Sequence, residues 1–161
     1  MLADHLVVMR NGVIEQQGAA EAVFLRPRSG FIARFLGITN LPKGRIVEIG
    51  PGSARVDVDK LGVISAFIAD DVRAELAPGA LACVSVRPLE VAIAASRADP
   101  PGNAFEGRVT DRIFLGDLTE YYVQSGEMRW RVHVASSRRF APGDAVWVSF
   151  APEAATVVLD N

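Results

Sequence analysis

The amino-acid sequence predicts a mainly β fold, and three observations carry that reading. From Lys43 to Asn161, runs of alternating or unbroken β-formers recur at short intervals. Turns rich in proline and glycine separate those runs, and two of the segments return later in the same order and at almost the same spacing. Only the first forty residues have a different texture.

That first part reads as a hairpin followed by two short helices. Leu6-Val7-Val8-Met9 is an unbroken apolar run, Arg10-Asn11-Gly12 supplies a turn, and Val13-Ile14 resumes the apolar run. Asn-Gly between two such runs marks a two-residue hairpin, because both central residues of a type I′ turn need positive φ. A strand apolar on both faces normally lies inside a sheet, so this one is expected to need cover from elsewhere. Ala19 to Leu25 reads as a helix stopped by Arg26-Pro27, since proline lacks the amide donor and restricts the residue before it. Ser29 is placed to cap a second helix, Gly30 to Leu36, with Phe31, Ile32, Phe35 and Leu36 on one stripe and Gly37 as its stop. Each helix is too short to be stable alone, so both are expected to pack on a surface.

The β region follows. Strands are expected over Arg45 to Ile49, Ala54 to Val58, Leu81 to Val86, Val91 to Ala94, Phe105 to Leu115, Glu120 to Gln124, Arg129 to Val134, Ala145 to Phe150 and Thr156 to Leu159. Gly50-Pro51-Gly52-Ser53, Ala77-Pro78-Gly79, Pro100-Pro101-Gly102-Asn103 and Ala141-Pro142-Gly143-Asp144 are the turns between them. Gly44-Arg45-Ile46 recurs as Gly107-Arg108-Val109, 63 positions on, and Ala77-Pro78-Gly79 recurs at 141–143, 64 positions on. The sequence therefore divides residues 41–161 into two related halves of roughly five strands each, the number an oligonucleotide/oligosaccharide-binding (OB) barrel uses. A double OB-like β-barrel module is the expected architecture, its halves completing each other's sheets and so hiding their edges.

Composition bounds the function. A chain of 161 residues with 22% charged and 50% hydrophobic residues and a formal charge of −2 has the make-up of an ordinary globular protein. Cys83 is the only cysteine, which excludes an intramolecular disulfide and a cysteine-based zinc site. Its neighbours Leu81-Ala82 and Val84 point to a buried strand thiol rather than a reactive one. No run of about 18 apolar residues is present, so no membrane-spanning helix is expected.

The constellations that might carry chemistry have simpler explanations. The 50–53 glycine pair lies between strands and opens no helix, which makes it a hairpin turn rather than a phosphate cradle. His5 and His133 lack flanking ligands at metal spacing. Asp57 and Asp59 share one strand face, the wet one, while Asp70-Asp71 precede Val72-Arg73 and are expected to cap a helix. In residues 128–139, Met128, Trp130, Val132 and Val134 alternate with Arg129, Arg131 and His133. That basic face, with Trp130 or Trp147 as a stacking platform, raises single-stranded nucleic-acid binding, but both tryptophans fall in the inward apolar alternation and the whole chain is slightly acidic. No nucleophile elbow is found. The sequence thus assigns no catalytic, cofactor-binding or metal site.

Residues 2–46 closely resemble the end of the ATP-binding subunit of a bacterial ABC importer, in the branch that carries a C-terminal TOBE regulatory domain. The strand of Ala3 to Met9, the Asn-Gly hairpin, the Leu25-Arg26-Pro27 stop, the Phe31 to Gly37 helix and Asn40 all follow that family's order. Val86-Arg87-Pro88, Phe114-Leu115-Gly116 and Phe140 to Asp144 resemble TOBE motifs, with Leu89 where the family's motif has glutamate and Glu90 one step later. The resemblance implies that residues 1–40 are the last elements of a nucleotide-binding domain and 41–161 a TOBE domain. The chain would thus begin inside a domain. It also implies a cytoplasmic subunit peripheral at the inner face of the cell membrane, homodimeric and bound to permease subunits. Its substrate would be a polyamine such as spermidine or putrescine, with ferric iron or sulfate as alternatives. The phosphate loop, the signature motif, the acidic strand end and the switch histidine are absent from the 161 residues, so neither ATP binding nor hydrolysis is expected of this chain alone, and ATP and magnesium would belong to the full-length parent. Related β modules bind molybdate or tungstate; by that analogy Arg87, or amides near Gly116, would meet an oxyanion.

Overall fold

The computed structural model describes residues 4–37, 39–97, 102–135 and 140–161. The expected turn at 100–103 lies partly, and residues 136–139 of the basic stretch wholly, outside the described residues.

Strands β1 (His5–Arg10) and β2 (Val13–Ala19) form a two-stranded antiparallel sheet. Asn11 and Gly12 between them have φ of 52° and 81°, the left-handed pair that a type I′ turn requires. Helix α1 (Ala20–Leu25) follows at once. Helix α2 (Gly30–Phe35) begins where the Ser29 hydroxyl accepts from the Ile32 amide at 3.3 Å. Val8, Val23 and Ile32 make a small core of their own, flanked by Leu6, Phe31 and Leu36. Phe35 departs from the expected stripe and is 66% exposed, while Ala33 takes the buried position.

The remainder is β structure in two halves. Strands β3 (Lys43–Gly50), β4 (Ser53–Val58), β5 (Gly62–Phe67), β6 (Leu81–Val86) and β12 (Ala155–Leu159) make a closed barrel in the order β12-β5-β4-β3-β6. Strands β7 (Ala92–Ala94), β8 (Asn103–Phe114), β9 (Leu118–Ser125), β10 (Met128–Ala135) and β11 (Ala145–Phe150) make a five-stranded sheet in the order β10-β9-β8-β11-β7. The halves exchange their last strands. β7 leaves the first half to pair with β11, and β12 leaves the second half to pair with β6 and β5. In the first half β12 closes the barrel through Thr156 against Phe67; the corresponding β7 is only three residues long and reaches β10 without forming a ladder. Strand β5 was not expected: Gly62, Ser65 and Ala66 dilute its apolar pattern, and its place is fixed by β4 and β12 on either side.

The two repeated motifs prove to touch one another. The Gly79 amide donates to the Ile46 carbonyl at 2.7 Å, and the Gly143 amide to the Val109 carbonyl at 2.8 Å. Arg45 donates to the Gly79 carbonyl at 3.0 Å and Arg108 to that of Gly143. A bulge follows Ile46 in β3 and Val109 in β8, the same repeat position. Gly44 and Gly107 are needed because a Cβ at either would collide with the facing strand, at Asp57 and at Val123 to Ser125 respectively.

One core runs through both halves, from Ile46, Val56 and Ile64 to Tyr121, Trp130 and Val148. Trp130 stacks against Phe105 at 5.8 Å and meets Phe150 at 5.5 Å. Trp147 corrects the expectation that both tryptophans point inward: Val146, Val148 and Phe150 take the inner face of β11, so Trp147 lies on the outer one beneath the Arg97 guanidinium.

Candidate functional site

Two regions gather the side chains with chemical potential: the seam between the helices and the barrel, and a groove lined by arginines. The seam is held by Arg26, Arg28 and Arg87. Arg87 leaves β6 and donates to the carbonyls of Phe24, at 3.2 Å, and Ala33, at 3.3 Å, with its guanidinium 4.2 Å over the Phe24 ring. Those carbonyls belong to the last turns of α1 and α2, where intrahelical donors run out and positive charge is favoured. Burial pushes the Arg87 pKa below its ordinary value. The Arg87 donors that the oxyanion alternative would use are engaged by helix carbonyls.

Arg26 approaches from the other side. It donates to Thr156 Oγ1 at 3.0 Å and to the Glu153 carbonyl at 3.1 Å, and lies over the Phe67 ring at 4.1 Å. Arg28 meets Asp71 and Glu75 around α3 (Asp70–Arg73). The cap of α3 is Ala69, so Asp70 and Asp71 sit in its first turn rather than at the cap position expected of them. Gln16 completes the seam, donating to the Arg26 carbonyl and accepting from the Arg28 amide, both at 2.9 Å.

The groove has a volume of about 610 Å³ and runs between the end of α2, Gly37 with Thr39 to Leu41, and strands β9 and β10. Arg34, Arg129 and Arg131 line it with Asn40 and Tyr122. Alternation along β10 buries Trp130 and Val132, which turns Arg129 and Arg131 outward as expected. Both guanidiniums lie over the Tyr122 ring, at 4.0 and 5.2 Å. Arg129 bonds to Asp111 at 2.8 Å, Arg131 approaches Glu120 through Nε at 3.6 Å, and His133 Nε2 meets the same Glu120 at 2.7 Å. Burial opposes ionisation of Glu120, but hydrogen bonds from His133 and Tyr122 and the Arg131 charge outweigh it, so its pKa is held below the ordinary carboxylate value.

Cys83 is buried on β6, as its neighbours suggested, with its Sγ 3.5 Å from Asp160, and desolvation pushes its pKa up to about 11. Asp57 is exposed on β4, whereas Asp59, expected on the same strand face, lies past the strand end in an exposed turn. Sequence reasoning missed the pair Asn40 and Asn103. The Asn40 carboxamide donates to the Arg131 carbonyl at 2.9 Å and accepts from its amide at 2.7 Å. Asn103 makes both bonds to Ser65 at 2.8 Å. Each asparagine thus pairs with one residue of the opposite half, like a short piece of strand, and their separation equals the 63-residue offset that reveals the repeat. That offset was the signal for finding them.

The closed five-stranded barrel with its strand-exchanged partner sheet places the chain among OB-like modules, and the family model described as TOBE domain matches residues 84–158. Over those residues the chain is similar to TOBE domains, and over most of its length it is similar to part of the ATP-binding proteins of importers. It is 29% identical to the spermidine/putrescine import ATP-binding protein PotA of Nitrosomonas europaea, over 99% of this chain and 45% of that protein. The protein of the same description in Frankia alni is 28% identical over 94% of this chain and 35% of its own length. That of Trichormus variabilis is 35% identical over 76% and 32%. The chain therefore spans less than half the length of these relatives. A solved structure of the cytoplasmic molybdate-binding protein ModG superposes with a TM-score of 0.63 over 74% of this chain and 95% of its own, at 18% identity, a likeness of fold.

Proposed function

We propose that this chain is the C-terminal regulatory and dimerising portion of the ATP-binding subunit of a bacterial ABC importer for polyamines, spermidine or putrescine. The observation that carries the reading is similarity across 94–99% of the chain to proteins described as spermidine/putrescine import ATP-binding proteins. On this reading residues 1–40 are the closing elements of a nucleotide-binding domain and 41–161 the TOBE domain. The arginine seam then has a purpose: it couples the hairpin and helices to the barrel, so that movement of one is felt by the other. Phosphate binding and hydrolysis would belong to the remainder of a longer subunit, peripheral to the membrane beside its permease partners. Among the described residues, no helix is long and apolar enough to cross a membrane.

A molybdate-type reading has less support, because the ModG likeness extends to fold alone and the donors of Arg87 are engaged by helix carbonyls.

The proposed pairing rests on exposed apolar surface. Val7, Met9, Val13, Ile14 and Phe35 lie open on the hairpin and helices, an arrangement that favours association. Light scattering over a concentration series tests it. The expected result is twice the 17.3 kDa chain mass, and a single chain mass at every concentration would contradict the dimer.

A further inference from the structure

We propose that the groove between α2 and β10 binds a small, multiply charged phosphate-class anion, held by Arg129 and Arg131 across the Tyr122 ring with Arg34 on the opposite wall. The first argument is the supply of unengaged donors. Arg131 faces Glu120 only through Nε, at 3.6 Å, which leaves its terminal nitrogens outside that pair. Arg129 uses one terminal nitrogen on Asp111, while Arg34, its guanidinium beside Gly30 and its charge acting on Asp160, adds positive potential to the opposite wall rather than a free donor.

The second argument is electrostatic. Two guanidiniums over one ring repel each other, and of the pairs that relieve this Arg129–Asp111 is weak, because both side chains are more than half exposed, whereas Arg131 faces the buried Glu120 through Nε. An anion entering between the guanidiniums gains charge-assisted, two-pronged bonds of the kind arginine makes with phosphate, at the cost of the exposed Arg129–Asp111 pair, while Arg131 keeps Glu120 through Nε and offers its terminal nitrogens. A volume of about 610 Å³ admits a diphosphate or a nucleotide-sized molecule. The chain's net charge of −2 supplies no long-range attraction, so recognition is local and salt-sensitive.

The test uses the whole chain titrated with pyrophosphate, ATP, sulfate and an oligothymidylate, followed by calorimetry and by NMR of the arginine Nε–H groups. Pyrophosphate is expected to shift the Arg129 and Arg131 Nε–H and Tyr122 ring signals in the unsubstituted protein, with affinity falling as salt rises. Arg129→Gln with Arg131→Gln is expected to weaken binding roughly tenfold or more, and Arg131→Lys to weaken it less. Absence of pyrophosphate binding, or shifts confined to other arginines, overturns the assignment. Oligothymidylate binding through these arginines more tightly than pyrophosphate also overturns it, in favour of a nucleic-acid surface. The signals of the unsubstituted chain decide the matter even where the double variant fails to fold.

Discussion

At the scale of single residues, Asn103 shows how a side chain substitutes for a strand. Its carboxamide satisfies both the amide and the carbonyl of Ser65, on a strand of the other half, and the residue itself is almost wholly buried. Asn103→Ala leaves both Ser65 groups without these partners, and urea denaturation is expected to register a loss of roughly 2–4 kcal/mol. A loss under half a kcal/mol, the ordinary range for an exposed site, would show that the bridge carries nothing. Cys83 gives a second residue-scale prediction. Because burial raises its pKa from 9.0 to about 11, the thiolate is disfavoured in the native state, and iodoacetamide at neutral pH should label it only after unfolding. The native state then retains a proton that the unfolded chain loses first, so stability falls as pH rises from 9.0 towards 11. Cys83→Ala should flatten that slope. The cysteine's burial was legible from its neighbours, whereas the asparagine bridges were not, because nothing local in Asn40 or Asn103 distinguishes a bridge from a turn residue.

Among elements, the hairpin, both helices and the repeat were readable because each has a local cause: positive-φ turn chemistry, a serine cap, a proline stop, a recurring Gly-Arg and Ala-Pro-Gly. Strand β5 and the outward Trp147 were not, since both are decided by partners distant in sequence. The helix contacts of Arg87 were not legible either, because its partners Phe24 and Ala33 lie more than fifty residues away; only analogy with related modules raised an anion role for it. Those contacts make a testable hinge between elements. Arg87→Ala should speed hydrogen exchange in α1 and α2 while β3 to β6 keep their protection. Equal acceleration throughout would mean that the seam and the barrel open as one unit.

For the whole molecule, exchange of β7 and β12 makes the two halves one body with one core, while the hairpin and helices keep a separate small core and an exposed apolar surface. The double module joins through an arginine seam to a segment with open apolar surface, the arrangement on which the proposed regulatory role rests. The proposed polyamine solute rests on similarity to proteins described as spermidine/putrescine import ATP-binding proteins and is the central claim to challenge. The most direct measurement is uptake of labelled spermidine, putrescine, sulfate and ferric iron by cells with and without the coding sequence of this chain. The account predicts that polyamine uptake falls while sulfate and iron uptake hold. Unchanged polyamine uptake with loss of either other solute would contradict it.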